Sequence, residues 1–541
     1  MNRLITFTAI LVAIACRGWL HLTTALVPGM NGGYYLVQAR SLIEKGALAI
    51  PDLPLVFTLH ACLAWMFHQL TGMDINRSVI MAVKAADSVL PALAIFPVML
   101  LARAWWRDSR SCIEPVIAAV AGIAITAGAA ALAMVGEFEK NSLGLALLCG
   151  LAWAMRRWIA QPGAGRLATA VLLLGLIGIT HIGVFGTALV FTGTTLLMLA
   201  LARGREGWRR VSRLALAALP VAAAAAVLVF WKFDPSRVRK LLHALSEPAD
   251  YLTGGPGPGG PSMADNWMQY LPAVLVALVA LTAAVVAWRK RRDGGLADAA
   301  VICGAALTAV ALTGPWVHGD KVMRFTLNAM PLTLLCLLFA LLRIPHKGVR
   351  GAVSLVVLGA LLAPVAPRLL AGGQPIITEA AKAELSTLAA SVEDPAHTLI
   401  VARHGLEWWT AWTLHTHIAQ PQAVTAEDWK RFKYVWFIEQ KQGMGRPSMF
   451  GMFNPGRPPG GGPGGPPPFG RGMGPPPGMP RGPGRPPGPG GMMGAPMPEE
   501  AVILHEGTYF KLGWVVATPF YITQRESSPL DVFGDLDAAL R

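Results

Sequence analysis

Charged residues are scarce in this chain of 541 residues: they make up 14% of it, whereas hydrophobic residues make up 54%. Together with a mean hydropathy of +0.48, this scarcity excludes a string of ordinary soluble domains and predicts a polytopic membrane protein. The net charge of +15 does not indicate nucleic-acid binding, because the basic residues form short clusters between apolar runs and do not line one soluble face.

Cysteine and the common catalytic motifs are also lacking. The six cysteines are scattered, none follows Cys336, and their spacing matches no metal site, so the sequence predicts neither a disulfide framework nor a cysteine-ligated zinc. The chain has no P-loop, no dinucleotide-binding fingerprint, no Gly-x-Ser-x-Gly elbow and no His-Glu-x-x-His motif. Function must therefore be sought in how polar residues are distributed around the apolar runs.

Eleven apolar runs are suitable for crossing a bilayer. A further apolar run, from Leu53 to Leu70, has two prolines near its start and contains His60 and His68, and we predict that it lies on the membrane surface or re-enters the membrane. With that choice every basic cluster falls on the side of Arg3, which the positive-inside rule assigns to the cytoplasm. The eleven predicted spans are 4–22, 86–102, 116–135, 142–155, 167–181, 183–202, 214–231, 270–288, 297–315, 326–342 and 349–366.

This topology predicts a protein of the bacterial inner membrane with a cytoplasmic N-terminus and an extracytoplasmic C-terminal domain. Almost all informative polar residues then lie outside the cytoplasm. A site served from the outer leaflet requires such an asymmetry, whereas a structural scaffold does not. The predicted outer segments are the first loop 23–85, the turn 136–141, His181, the segment 232–266, the turn 316–324 and everything after residue 367.

The C-terminal part of the chain has the composition of a soluble domain. We predict a transmembrane domain over 1–370 and a small α/β domain over 375–541, interrupted by a Pro/Gly-rich insert, 443–498, that cannot bury a core and is expected to be disordered. The periodicity predicts helices and strands in alternation. The predicted helices are 378–392 and 406–418, and the predicted strands are 398–402, 434–438 and one or two within 501–516.

The first outer loop contains a second helical pattern. Turn-forming residues open the segment 28–54, and apolar residues from Tyr34 to Ile43 recur at spacings that share one helix face, which Gly46 can end. Such a helix lies along the bilayer surface and presents its polar residues to water. These polar residues are Asn31, Arg40, Glu44 and Asp52.

Two outer turns carry residues suited to phosphate chemistry. Glu137 and Glu139, one residue apart, can share a divalent cation (Mg or Mn) with substrate phosphate oxygens; the alternative is a solvated turn with Lys140 as its counter-ion. His318, Lys321 and Arg324 can cradle a lipid phosphate, although Arg324 can equally anchor its helix at the interface.

Three further outer features have both a functional and a structural interpretation. His181 is either a substrate ligand or a histidine that caps a helix end. The Trp-rich segment from His404 to Trp412 either stacks on sugars or forms the core of the soluble domain. We also predict that Tyr35 and Arg40 in the first loop bind substrate.

Together these features resemble the GT-C superfamily of membrane glycosyltransferases, which includes protein O-mannosyltransferases, oligosaccharyltransferases and aminoarabinose transferases. The resemblance rests on a long first outer loop with Tyr-Tyr, Ala-Arg and then Asp52-Leu-Pro54, on the acidic turn Glu137-Phe-Glu139, and on a soluble C-terminal domain. It implies transfer of a sugar from a polyprenyl-phosphate-linked donor to a lipid, glycan or protein acceptor on the extracytoplasmic side.

The first loop departs from the family pattern at one position. In the superfamily this loop begins with an acidic residue that acts as base or metal ligand, and the matching position here is Asn31, whose amide cannot act as a general base. Asp52 is therefore our best candidate for the base, with Glu137 and Glu139 as catalytic or metal ligands.

Two readings without glycosyl transfer remain. One is a non-catalytic membrane protein of the same architecture that binds an envelope partner, for which Asn31 is the main support. The other is secondary transport, which is less favoured because we expect neither ionisable residues in the middle of a span nor an internal repeat.

Overall fold

A computed structural model describes residues 2–106, 113–228, 267–317, 320–420, 424, 426–441 and 501–514. The predicted outer segment 232–266, the insert 443–498 and His318 lie outside these described residues. Contacts divide the chain into two compact units. The membrane unit comprises 1–28 and 38–373, and the C-terminal unit comprises 29–37 and 374–541.

The chain up to residue 373 is helical in its described part, including residues 32–37, which belong to the C-terminal unit. A four-residue 3₁₀ turn, Pro91–Ala94, separates its fourth and fifth helices, and a π-helical turn, Arg291–Gly295, precedes its thirteenth. The helices are α1 Asn2–Leu22, α2 Gly32–Lys45, α3 Leu55–Thr71, α4 Ile75–Val89, α5 Ile95–Trp105, α6 Ile113–Ala127, α7 Ala129–Ala133, α8 Glu139–Ala160, α9 Ala164–Gly178, α10 Ile182–Arg203, α11 Arg205–Leu228, α12 Trp267–Arg289, α13 Leu296–Thr313, α14 Asp320–Leu342, α15 Lys347–Leu362 and α16 Val365–Ala371.

Among the described residues, eight helices are long and apolar enough to cross a membrane. Three more apolar helices, Leu55–Thr71, Ala164–Gly178 and Ala273–Arg289, are shorter. The chain is thus a multi-pass α-helical membrane protein, and the number of eleven spans stays a prediction. The eight long helices are Arg3–Leu22, Ile75–Trp105, Ile113–Ala133, Glu139–Ala160, Ile182–Arg203, Leu296–Thr313, Val322–Leu342 and Lys347–Ala371.

The second long helix begins earlier than the hydropathy predicts. It starts at Ile75, where both carboxylate oxygens of Asp74 accept backbone hydrogen bonds, from Asn76 at 2.8 Å and from Arg77 at 3.1 Å. This N-cap satisfies donors that a helix start otherwise leaves unpaired. The helix therefore includes Asp87 well inside it, and the predicted apolar span 86–102 lies within the longer helical segment Ile75–Trp105.

The predicted helix of the first loop is present as α2, and it ends where expected. Gly46 has a φ of +66°, and its N–H donates to the carbonyl of Leu42 at 3.1 Å, as in a glycine helix end. The predicted exposure is wrong for two residues. Arg40 and Asp52 are buried, because each has an oppositely charged partner, Glu44 and Lys140 respectively.

The C-terminal unit contains a five-stranded mixed sheet, so the predicted α/β character is confirmed. Its strand order is β2-β1-β3-β5-β4, with β1 parallel to β2 and β3, and β5 antiparallel to β3 and β4. Buried side chains of β1 and β3 pack with Val424 and Phe432. The strands are β1 Thr398–Val401, β2 His417–Ala419, β3 Tyr434–Gln440, β4 Val502–Glu506 and β5 Phe510–Trp514, and the helices are α17 Glu379–Thr387, α18 Leu406–Leu414 and α19 Ala426–Arg431.

The Trp-rich helix α18 is shorter than predicted. His415 adopts a left-handed conformation with φ 58°, and its N–H donates to the carbonyl of Ala411 at 3.1 Å. This residue ends the helix, and the chain then enters β2 at His417. The prediction of helix up to residue 418 is therefore wrong.

Candidate functional site

The acidic turn lies between α7 and α8 and is buried. Its backbone folds on itself, because the N–H groups of Glu137 and Phe138 both donate to the carbonyl of Met134, at 3.1 and 2.9 Å. Glu137 and Glu139 are only 8% and 3% exposed. The solvated-turn interpretation therefore does not hold for these carboxylates.

Asp52 joins the first loop to this turn. One of its carboxylate oxygens accepts the N–H of Leu53 at 2.7 Å, and the other forms an ion pair with Lys140. Lys140 also lies over the ring of Phe57, 5.4 Å from its centroid. The two loops that the family resemblance singled out are thus connected in the structure through Lys140, which bridges a sequence separation of 88 residues.

Gln38 of α2 determines where the segment before Asp52 runs. Its side-chain N–H donates to the carbonyl of Ile50 at 2.8 Å, and its side-chain oxygen accepts the N–H of the same residue at 3.2 Å. The hydroxyl of Ser41 donates to the carbonyl of Ala47 at 2.8 Å. These bonds hold the loop against α2. The sequence analysis selected neither Gln38 nor Ser41.

His60 is a second residue that the sequence analysis did not select as functional. It lies on α3, and its Nε2 is 3.1 Å from a carboxylate oxygen of Glu139, with both side chains buried. A cavity of about 10 Å³ adjoins this pair and is lined by His60, Asp87 and Glu139 together with apolar residues. A volume of this size corresponds to about one water molecule, so polar groups from α3, α4 and α8 converge here.

Ionisable residues also lie inside long helices, which the sequence analysis did not expect. Arg17 of α1 and Asp87 of α4 form a buried ion pair at 2.6 Å. Asp298 of α13 pairs with Arg156 of α8 at 2.6 Å and with Arg343 at 3.4 Å. Asp87 lies inside the candidate span Ile75–Trp105, so the expectation that no ionisable residue lies in the middle of a span does not hold there. Its charge is compensated by Arg17.

Arg40 lies on α2 and pairs loosely with Glu44, at 3.8 Å. Burial lowers the pKa of Arg40 from its ordinary value, and the carboxylate of Glu44 partly opposes this shift. A guanidinium remains charged even after such a shift. Arg40 is therefore a buried positive group in the membrane unit, and its role in substrate binding stays a prediction.

His181 occupies a helix start. Its Nδ1 accepts the N–H of Val184 at 3.2 Å and so caps α10, which fits the structural interpretation of this residue. The carbonyl of Ile179, two residues before His181, accepts the N–H of Leu55 at 3.3 Å. The His181 turn is thus adjacent to the segment that carries Asp52, and binding of substrate by His181 stays a prediction.

The predicted phosphate cradle is only partly described. Arg324 is exposed on α14, Lys321 belongs to the same helix, and His318 lies outside the described residues. Their binding of a lipid phosphate stays a prediction.

Asn31 and Tyr35 belong to the C-terminal unit, unlike the other predicted site residues. The carbonyl of Asn31 accepts the N–H of Tyr34 at 3.0 Å, and Tyr35 is buried beside Tyr34 with ring centroids 5.6 Å apart. The ring of Tyr34 in turn lies 4.8 Å from that of Trp408 on α18. The Asn31 segment is therefore packed on the Trp-rich helix.

The Trp-rich helix contributes mainly to the core of the C-terminal unit. Trp409 and Trp412 are buried, as the core interpretation predicts. At the start of the helix, Glu407 is buried and accepts from Gln420 at 3.0 Å, and His404 lies 2.9 Å from the same carboxylate oxygen. The aromatic residues are thus largely unavailable for stacking on a sugar.

A metal site is not assembled by the described side chains. Among them, no group of three His, Cys, Asp or Glu residues is placed to hold a metal ion. The two best-placed carboxylates, Asp52 and Glu139, instead face Lys140 and His60. Binding of Mg or Mn by Glu137 and Glu139 stays a prediction.

Comparison with protein-family models and with curated proteins finds no match to this sequence. Solved structures do match. The oligosaccharyltransferase of Archaeoglobus fulgidus, solved as a complex with Zn and sulfate, is 16% identical over 79% of this chain and 67% of that chain, with a TM-score of 0.51. ArnT from Cupriavidus metallidurans in the apo state is 16% identical over 80% of this chain and 92% of that chain, with a TM-score of 0.48.

The likeness to the archaeal oligosaccharyltransferase shows the fold. The chain has the GT-C fold that its first loop, acidic turn and C-terminal domain predicted. At 16% identity the likeness extends to the fold alone, because one fold can host different functions.

Proposed function

We propose that this chain is a membrane glycosyltransferase that takes a sugar from a polyprenyl-phosphate-linked donor and transfers it to a lipid, glycan or protein acceptor. The reaction takes place on the extracytoplasmic side of a bacterial inner membrane, with the N-terminus in the cytoplasm. The observation that carries the proposal is the joining of Asp52 to the acidic turn through Lys140 within a GT-C fold.

Asp52 serves as the base in this proposal. An acceptor hydroxyl attacks the anomeric carbon, a new bond forms between the acceptor oxygen and that carbon, and the bond between the carbon and the phosphate oxygen breaks. The hydroxyl proton passes to the carboxylate, and the polyprenyl phosphate leaves as the anion. Lys140 keeps Asp52 close to the turn, and a carboxylate within hydrogen-bond reach of the acceptor hydroxyl can take its proton.

Arg324 and Lys321 hold the leaving phosphate, as positively charged groups in the first part of α14. Phosphate recognition by Arg and Lys relies on charge-assisted hydrogen bonds, which are stronger than neutral ones. The exposed position of Arg324 on α14 is compatible with a lipid headgroup as its ligand.

The test removes the three carboxylates together. We expect Asp52→Ala/Glu137→Ala/Glu139→Ala to abolish a glycosylated lipid, glycan or protein of the host envelope, measured by mass spectrometry of the glycan and lipid profile. Glu206→Ala is the control, because this glutamate is 61% exposed and pairs only locally with Arg203 and Arg210. An unchanged profile with the triple variant folded and present at the wild-type level contradicts the proposal.

The second candidate function is non-catalytic binding of an envelope partner. The observation that favours it is the amide at Asn31, packed in the C-terminal unit through Tyr34 and Trp408. Asn31→Asp separates the two candidates: new or increased glycosylation in that variant argues against the non-catalytic function, and so does binding of undecaprenyl phosphate by the unmodified protein.

A further inference from the structure

The carboxylate of Asp87 connects three parts of the membrane unit. Its side chain is fully buried. Oδ1 pairs with Arg17 of α1 at 2.6 Å, and Oδ2 lies 3.0 Å from Nε2 of His21 and accepts the backbone N–H of Gly136 at 2.9 Å. Gly136 is the residue directly before Glu137, so Asp87 is hydrogen-bonded to the backbone of the acidic turn.

Arg17 uses every N–H of its guanidinium in the same region. Nε donates to the carbonyl of Asp87 at 2.7 Å, and Nη1 donates to the carbonyls of Thr126 and Ala131 at 3.3 and 3.2 Å. Nη2 donates to Asp87 and to the hydroxyl of Ser142, at 3.5 Å. A guanidinium has five N–H donors in a fixed plane, so this set of acceptors fits arginine and does not fit lysine.

The acceptors of Arg17 surround the acidic turn in the sequence. Thr126 is at the end of α6, where the helix dipole favours a positive charge, Ala131 is in α7, and Ser142 is in the first turn of α8. Arg17 therefore holds the chain on both sides of residues 134–140. The turn itself contributes the backbone N–H of Gly136 to this network.

Gly136 is a position that tolerates little change. Its φ is +67°, a conformation that residues with a side chain rarely adopt, and a Cβ added there meets the carbonyl of Pro28. The turn is thus confined by Pro28 on one side and by Asp87 on the other. Both neighbours belong to the membrane unit.

From this arrangement we infer that Arg17 and Asp87 are positioning residues for the proposed active site. Acting through Gly136, they fix the turn that carries Glu137, Glu139 and Lys140, and hence the ion pair of Lys140 with Asp52. The inference rests on the proposed function only for the catalytic role of the turn. The contacts that hold the turn in place do not depend on that function. Neither residue is a catalytic residue.

The experiment uses hydrogen exchange on the full chain in nanodiscs. Asp87→Asn keeps the size of the side chain and removes its charge, and we expect amide exchange within 134–142 to become about tenfold faster or more, since a hydrogen bond to a charged group is weakened. Asp298→Asn is the matched control, because it removes another buried carboxylate paired with arginines. It should leave exchange within 134–142 at the wild-type rate.

Binding of undecaprenyl phosphate to the same samples distinguishes positioning from general stability. We expect Asp87→Asn to weaken this binding about tenfold while exchange in α10 and α13 stays at the wild-type rate, because a loss of local order costs affinity without unfolding the protein. Asp298→Asn should bind as the wild type does. Arg17→Lys keeps the charge and should behave like Asp87→Asn.

Two results overturn the inference: exchange within 134–142 that is unchanged by Asp87→Asn, or an equal acceleration by Asp298→Asn. If Asp87→Asn does not fold, hydrogen exchange of the unmodified protein tests the inference instead. Its Gly136 amide must exchange as slowly as amides of the core helices, and rapid exchange at this amide contradicts the inference. If the unmodified protein does not bind undecaprenyl phosphate, the proposed function fails, while the exchange results still test the positioning role.

Discussion

Asp87 and Asp298 are both aspartates of long helices that pair with arginines distant in the sequence, but they differ in burial. Asp87 and its partner Arg17 have side chains that are 0% and 1% exposed. Asp298 is 10% exposed, and its partners Arg156 and Arg343 are 20% and 19% exposed. The first pair is therefore shielded from water, whereas the second is partly hydrated, and hydration weakens an ion pair but also lowers the cost of breaking it.

The two aspartates also differ in what else they bind. Asp87 accepts a backbone N–H from the acidic turn, whereas Asp298 accepts from the indole of Trp105 at 3.1 Å and otherwise from arginine side chains. Helix α8 contacts both networks, through Ser142 and Arg156, which a straight helix separates by about 21 Å. Near its N-terminus α8 is thus bonded to Arg17 of α1, and near its C-terminus to Asp298 of α13.

The largest expected effect is on the shielded pair. We expect Arg17→Met to lower the free energy of unfolding by about 3–5 kcal/mol, because it leaves Asp87 as an uncompensated buried charge. Arg156→Met should lower the free energy of unfolding by only about 1 kcal/mol, since Asp298 keeps its contacts with Arg343 and Trp105. Unfolding in mixed micelles with increasing SDS measures both. Equal losses of unfolding free energy in the two variants would contradict the difference between the Asp87 and Asp298 ion pairs.

Glycine substitutions sharpen the same comparison with a smaller effect. Gly136 and Gly46 have nearly equal positive φ values, +67° and +66°, so alanine at either position adds a similar strain of about 1–2 kcal/mol. A Cβ at Gly46 meets open space, whereas one at Gly136 meets the carbonyl of Pro28. We therefore expect the free energy of unfolding of Gly136→Ala to be lower than that of Gly46→Ala by about 1–3 kcal/mol.

Unfolding of the two glycine variants in the same micelles checks this difference. The hydrogen exchange of residues 134–142 is the second measurement, and only Gly136→Ala should accelerate it. Equal stability of the variants would indicate that Pro28 moves aside without cost, and the turn would then be less confined than the contacts imply.

Much of the fold could be predicted from local patterns. Apolar runs identified the long helices, and the glycine at residue 46 predicted the end of α2, because both signals act over a few neighbouring residues. The turn Glu137-Phe-Glu139 and Asp52 were selected from the family resemblance. Their joining through Lys140 could not be predicted, since it spans 88 residues of sequence and depends on how the helices pack.

The parts that sequence reasoning missed share that dependence on packing. His60 is one of two histidines on an apolar helix, and nothing in its neighbourhood in the sequence indicates that Glu139 lies 3.1 Å away. Asp87 was not selected because it lies at the edge of the predicted apolar span 86–102, whereas the helix itself begins at Ile75 after the N-cap Asp74. His415 ended α18 in the left-handed conformation, which residues other than glycine adopt uncommonly.

The smallest expected effect is the response of the two ion pairs to salt. A double-mutant cycle on Arg343 and Asp298 should give a coupling energy of about 0.5–1 kcal/mol in dilute buffer and less in about 0.5 M NaCl, because both side chains are partly exposed and ions screen them. The cycle on Arg17 and Asp87 should give a larger coupling that salt leaves unchanged, because water and ions do not reach a pair that is at most 1% exposed. Each coupling is obtained from the unfolding free energies of the two single variants and the double variant. A fall in the Arg17–Asp87 coupling with salt would show that the cavity beside Asp87 admits solvent, and the positioning of the acidic turn would then depend on the ionic strength.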